Sequence, residues 1–347
     1  MIPPREHFTP AEIAVVLRAY DLEALESARE LTRGSRRSPK LLLHTRRGRF
    51  LLKRRAAGRD QPDRVAFAHA LAEHLRGAGF PVPALRRVAG GEATFVEHEG
   101  RIYELFEYTE GAAYDGSLEE TTRSGQALAR FHRVAQTFQS LWQPTRGGYH
   151  DSPAVRSGLN AIPSTTAGHD SVVGHEAELL GMTQELYERY DESAEAVRGM
   201  HVDRWPRSVI HGDWHPGNML FRAHRVAVVL DLDSVRVQPP VVDLANGMLQ
   251  FSMLRGASEP GAWPEYFDET RMRRFFLGYR MAGAATNSQR RALPHLMIES
   301  LIAESAVPIA ATGSFGPIPG FGVLQMVRRK VRWILNNFER LQRWMME

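Results

Sequence analysis

The sequence predicts an α+β fold in two lobes, a small antiparallel sheet first and a mostly helical remainder after it. Three observations carry that expectation. Short strand-like runs punctuated by Gly and Pro fall in the first third, while patterns of helical spacing dominate after GlyAlaAla at 111–113. The length, 347 residues, is also more than one core needs.

Each element can be justified in order. Thr9, Pro10 and Glu12 form a capping box with Pro at the first helical position, which predicts a helix from Pro10 to about Tyr20. LLLHT (41–45) and RFLLKR (49–54), separated by a turn ending at Gly48, predict a hairpin. Phe67, Leu71 and Leu75 give 63–78 helical spacing, which GFPVPAL (79–85) stops. Two further strands are expected at 93–98 and 101–109. Ser117 with Glu120 is a second capping box and opens a helix. Residues 143–173, rich in Pro, Gly, Ser, Thr and His, read as an irregular connection or binding loop. Helices are then expected at about 176–200, 241–254, 263–280, 289–303 and 324–345.

Composition excludes several classes. Hydrophobic residues make up 43% and charged residues 24%, so a sizeable core is available. There are no cysteines, hence no disulfide framework and no thiolate metal site. No signal-peptide core and no apolar stretch of about 20 residues is present, so the expectation is a cytoplasmic protein with no membrane partner. The net charge of +4 is unevenly placed: Arg29 to Arg59 holds Arg33, Arg36, Arg37, Lys40, Arg46, Arg47, Arg49, Lys53, Arg54 and Arg55 against one acid, Glu30. Such a stretch could attract nucleic acid or a nucleotide's phosphates, or be a solvated surface.

Chemistry concentrates in SVIHGDWHPGNMLF (208–221) and the apolar run VAVVL (226–230) that delivers Asp231. A loop between two strands presents Asp213 and Asn218. Phosphoryl transfer needs one carboxylate to orient the acceptor hydroxyl and oxygen ligands to hold Mg²⁺ on the phosphates. Asp213, Asn218 and Asp231 match those roles in type and order, and two protein oxygens suffice for a cation that keeps several waters.

These residues resemble the aminoglycoside phosphotransferase and choline kinase superfamily, which also holds homoserine kinases and spore-coat kinase-like proteins. Its HGDxHxxN signature matches His211, Gly212, Asp213, His215 and Asn218, and its metal-binding segment matches LDLDS, 230–234. The resemblance implies a bilobal protein-kinase-like fold, with 1–108 as nucleotide-binding lobe and 109–347 carrying the catalytic loop and acceptor site. It makes Asp213 the catalytic base, Asn218 and Asp231 the Mg²⁺ ligands, and His211, His215 and Asp243 of VVDLANG supports, with Asp233 a further acid at the metal. ATP would be the co-substrate. Lys53 is the cation expected on its phosphates, with Arg54 on the opposite face of the strand. Gly34 and Ser35 lie where a nucleotide loop should fall, and LFEYTEG (105–111) resembles the hinge, with Glu107 and Thr109 holding adenine by backbone groups and Phe106 lining the pocket. The helix Glu that such a lysine pairs with falls at Ala68, with His69 and Glu73 nearby.

The acceptor that the resemblance implies is a small hydroxylated metabolite or antibiotic, with an amino alcohol, an amino sugar, homoserine and another sugar all open. Glu299, Glu304, Asp151 and Asp170 are the acids that could meet an amine. The competing readings are a kinase-fold scaffold without chemistry, an iron site from His211, Asp213 and His295, a zinc site from His211 and His215, and nucleic-acid binding by the basic stretch. Gly212 and Pro216 oppose the helix that the zinc site needs. The absence of P-loop and G-x-G-x-x-G stretches opposes those two nucleotide folds.

Overall fold

The first helix is set by its cap. Thr9 Oγ1 accepts the Glu12 amide and the Glu12 carboxylate accepts the Thr9 amide, so α1 runs Pro10–Arg18. The computed structural model describes residues 5–22, 24–32, 34–256 and 259–347; Arg33 of the basic stretch lies outside the described residues. β1 (Leu25–Leu31), β2 (Lys40–Thr45), β3 (Gly48–Arg54), then α2 (Pro62–Gly77), β4 (Val96–His98) and β5 (Arg101–Glu107) follow. The strands form one antiparallel sheet in the order β1-β2-β3-β5-β4.

Alternation sorts their side chains onto two faces. Leu41 stands opposite Leu52 and Leu52 opposite Leu105; with Leu43, Phe50 and Tyr103 they bury against Val16 and Tyr20 of α1. One residue out of step, Lys40 stands opposite Lys53 and Lys53 opposite Glu104, so the other face carries charge. On that face α2 brings His69 to Glu104.

Beyond the sheet come α3 (Leu118–Ala135), α4 (Pro153–Thr165), α5 (Glu176–Gly199), β6 (Ser208–Ile210), β7 (Met219–Arg222), β8 (Arg225–Val229) and β9 (Arg236–Gln238). The chain then runs through α6 (Val241–Ser252), α7 (Glu269–Ala282), α8 (Asn287–Thr312), a short hairpin of β10 (Ser314–Phe315) and β11 (Ile318–Pro319), α9 (Gly320–Asn336) and α10 (Phe338–Met346). Two units emerge, neither continuous in sequence. One takes residues up to 113 with 134–145 and 218–235; the other takes 114–133, 146–217 and 236–347. The β7–β8 hairpin joins the first: Val229 N–H donates to Pro81 O at 2.7 Å, and Phe221 pairs with Ala112. In the second, α8 is the central helix, touched by α4, α5, α6, α9 and α10 and buried along Met297, Ile298, Ile302 and Ala306. No helix among the described residues is long and apolar enough to cross a membrane.

Several sequence expectations need correction. Residues 143–173 are not wholly irregular, because α4 sits inside them. Pro153 opens it, and Val155, Leu159 and Ile162 bury one face, a spacing masked by the surrounding Ser, Thr and Gly. The helix expected from Trp263 starts at Glu269, where Asp268 caps the Arg271 amide; Pro264 keeps the preceding segment out of it. The second capping box is half formed: Ser117 Oγ accepts the Glu120 amide, but the Glu120 carboxylate takes the Asp115 amide. The helix expected over 289–303 extends to Asn287–Thr312, capped by Thr286, and the terminal helix breaks at Asn337.

Candidate active site

The catalytic loop is built from its backbone outward. β6 pairs with β9, ending at Ile210 opposite Arg236, and the chain then turns through Gly212 at φ 76°, where a side chain would be strained. The amides of His211 and Gly212 both point at Asp243 in the first turn of α6, donating to Oδ2 at 2.7 Å and Oδ1 at 2.9 Å. His132 Nε2 lies 3.2 Å from Oδ2, and its Nδ1 lies 3.0 Å from the Tyr279 hydroxyl, which fixes the carboxylate from behind. The buried His211 ring packs edge-on against Phe131 and Trp214. Asp213 follows, its side chain 35% exposed, with His215 Nε2 3.6 Å from Oδ2. Gly217 N–H donates to His215 Nδ1 at 2.9 Å, so the ring proton sits on Nε2 and faces the Asp213 carboxylate.

The acids expected to meet an acceptor separate by their partners. Glu299 is consumed by His150, whose Nδ1 lies 3.0 Å from both oxygens, and by the Asp151 amide at 2.9 Å. Asp151 is held by Arg156 and Arg198 at 2.7 and 2.8 Å, and Asp170 is exposed. Glu304 differs. Gln250 donates to its Oε2, while Oε1 is sealed from solvent without a hydrogen-bond partner. Burial and the Asp213 charge push the Glu304 carboxyl up to about 8, against the pull of His215, Asn246 and Gln250. Tyr149 belongs to the same group. Its phenol is raised by burial and by the charges of Glu304 and Asp213, its ring lies under Arg236, and its carbonyl accepts the Tyr190 hydroxyl.

In the first unit, Lys53 is ringed by carboxylates. Its Nζ lies 2.7 Å from Asp233 Oδ2, 3.3 Å from Asp231 Oδ1 and 3.9 Å from Glu104 Oε2. Burial opposes its charge, but the three acids together raise the ammonium above its usual value. Arg55 bonds Glu104 at 2.8 Å and Asp233 at 3.0 Å, and His69 Nε2 bonds Glu104 at 2.6 Å. Burial alone would raise the Glu104 carboxyl; Arg55, Lys53 and His69 hold it well below the usual carboxylate value. Asp233 moves the other way, raised by burial and by the neighbouring Asp231. The place of the helix Glu is thus taken by a strand residue. Glu73 instead pairs with Arg87 at the surface, and Ala68 is simply buried. Arg54 points to the opposite face, bonded to Glu12 and Glu6.

Asn218 and Asp231 come together because β7 and β8 pair: Leu230 N–H donates to Asn218 O at 2.8 Å. Asp231 adopts φ 62°, ψ 72°, a strained backbone of the kind found at functional sites. An amide and a carboxylate oxygen at adjacent strand ends suit a hard cation such as Mg²⁺, whereas both Asp233 oxygens are engaged by Lys53 and Arg55. In the segment expected to be the hinge, Glu107 N–H donates to Ala84 O at 2.8 Å and Tyr108 N–H to Arg49 O at 2.9 Å, so the Glu107 amide is already used. Phe106 shares a face with Glu104 and meets His69 edge-on. Gly34, at φ 99°, and Ser35 sit in the connection between β1 and β2.

His295 is packed against Phe338, and Arg49, Lys53, Arg54 and Arg55 of the basic stretch are paired with acids of their own unit. Sequence reasoning missed Glu104, Tyr149 and His132, and named Arg55 only as one cation of the basic stretch. Alternation on 101–107 placed Glu104 on the face of Phe106, but only strand pairing sets it opposite Lys53.

Comparison with known proteins gives the family and the fold. The model of the phosphotransferase enzyme family (APH) matches residues 27–276. A homoserine kinase of Rhodopseudomonas palustris (strain BisB5) is 25% identical over 295 residues, covering 82% of this chain and 79% of its own. Among solved structures, an aminoglycoside phosphotransferase from Alicyclobacillus acidocaldarius superposes with TM-score 0.71 at 18% identity, covering 98% of this chain and 97% of its own. An amicoumacin kinase in complex with AMP-PNP and Ca²⁺ superposes with TM-score 0.66 at 13% identity, covering 92% and 91%. With an α+β, protein-kinase-like fold and a family match over most of its length, the chain belongs to the phosphotransferase enzyme family and is a small-molecule kinase.

Proposed function

We propose that the enzyme moves the γ-phosphoryl group of MgATP to the hydroxyl of a small acceptor that also carries an amine. The observation that carries the nucleotide half is Lys53 held between Asp231 and Asp233: one ammonium for phosphate oxygens, beside oxygen ligands for a divalent cation. Asn218 and Asp231 would hold Mg²⁺, which when bound would offset the charge on the phosphates. Asp213 orients the acceptor hydroxyl and receives its proton, His211 and Asp243 fix the loop, and His215 steadies the carboxylate. The amicoumacin kinase, solved with AMP-PNP, supports the nucleotide; the homoserine kinase relative supports an amine-bearing acceptor.

Glu304 narrows the acceptor. It alone among the four candidate acids keeps an enclosed oxygen without a partner, and it lies near enough to Asp213 to feel its charge. An ammonium group would satisfy that oxygen and draw the carboxyl into its ionised form. The test is a screen of hydroxylated amines, each beside its counterpart lacking the amine, for ADP release. Amines should be turned over preferentially, and Asp213→Ala should lose activity by about 10³-fold while still binding ATP. Turnover retained in Asp213→Ala would sink the base assignment; equal use of both acceptor sets would sink the amine.

A further inference from the structure

We propose that Lys40 is a second cation of the nucleotide site, reaching the polyphosphate from the start of β2. The proposal rests on the MgATP reading above and adds a residue to it. Lys40 stands opposite Lys53 in the β2–β3 register, on the charged face of the sheet. Its ammonium lies under the connection between β1 and β2, where a Cβ built on Gly34 would come within 3.0 Å of Nζ. That connection is itself held in place: the Arg5 guanidinium donates to Thr32 O at 2.7 Å and Ser35 O at 3.3 Å, and Arg37 N–H donates to Ser35 Oγ at 3.2 Å.

Among the described residues Lys40 feels the charges of Asp231, Asp233 and Glu104 but is paired with none of them. Asp233 gives its two oxygens to Lys53 and Arg55, and Glu104 Oε1 serves Arg55 and His69. The Lys40 side chain makes no hydrogen bond or ion pair among the described residues, and burial together with the Lys53 charge lowers its pKa against the opposing pull of Asp231, Asp233 and Glu104. A half-buried ammonium without a direct partner gains from an anion that reaches it. Lys53 already shares its charge among carboxylates, so a phosphate chain arriving here meets one committed cation and one uncommitted cation. The polyphosphate of ATP has the required charge and the oxygens to bridge neighbouring ammonium groups.

The experiment is calorimetric binding of ATP, ADP, AMP and adenosine, each with Mg²⁺, to wild type, Lys40→Met and Lys40→Arg. Lys40→Met should weaken ATP and ADP by about tenfold and leave adenosine unchanged, with Lys40→Arg keeping most of the affinity. Unchanged ATP binding in Lys40→Met, or adenosine falling in step with ATP, would overturn the proposal. If Lys40→Met melts well below wild type, Lys40→Gln replaces it in the same series and is read in the same way. Wild type that binds no nucleotide at all would remove both this proposal and the MgATP reading; wild-type binding matched by Lys40→Met would remove this one alone.

Discussion

Glu104 faces Lys53 across adjacent strands, Oε2 to Nζ 3.9 Å, so the buried carboxylate beside the lysine comes from β5 and not from α2. Arg55 and His69 close around the same carboxylate. Removing one member of such a group leaves the others buried and uncompensated.

Glu104→Gln should therefore destabilise the protein by about 3 kcal/mol and raise KM for ATP more than KM for the acceptor. Glu73→Gln, which touches only the surface pair with Arg87, should change stability by less than about 0.5 kcal/mol. Urea unfolding of both variants with initial rates at varied ATP checks this. Equal effects of the two substitutions would return the partner role to α2.

Asp243→Asn tests the anchoring of the loop. The carboxylate accepts two successive amides with separate oxygens, so an amide nitrogen in either place opposes a donor with a donor. A loss of about 2–3 kcal/mol and a fall in kcat of at least about tenfold are expected, with ATP affinity close to wild type. Measured kcat at saturating substrates, unchanged from wild type, would show that the loop holds its shape without Asp243.

Glu304 gives the protein a pH signature. Its carboxyl titrates at 4.5 when unfolded and at about 8 in the folded chain, so between those values the unfolded state releases a proton that the native state keeps. Stability then falls as pH rises, by up to about 1.4 kcal/mol per unit. Glu304→Gln should flatten that slope and melt above wild type on the alkaline side of neutrality. Parallel melting curves across this window would mean that the carboxyl is not held neutral. An amine-bearing acceptor should act in the opposite sense, binding more tightly as the carboxyl ionises.

The sequence by itself singled out the polar residues of the loop. Gly212 between His211 and Asp213, Asn218 five positions on, and Asp231 after an apolar run are local facts, because a strand–loop–strand segment presents its polar residues in sequence order. It also determined the β2–β3 hairpin, since alternation and a Gly turn fix a hairpin over neighbouring residues, whereas β1 at Leu25–Leu31 was not expected. Only the tertiary structure decided which charges meet. Glu104 lies 51 positions from Lys53, and Lys40 thirteen before it; strand order alone sets all three in one row. Likewise Glu299 and Glu304 look equivalent on one helix, but packing against His150 and the Asp151 amide satisfies the first and leaves an oxygen of the second enclosed beside Gln250. Pairing and burial are properties of distant segments brought together, and they decide whether a carboxylate is a structural tie or a site for a ligand.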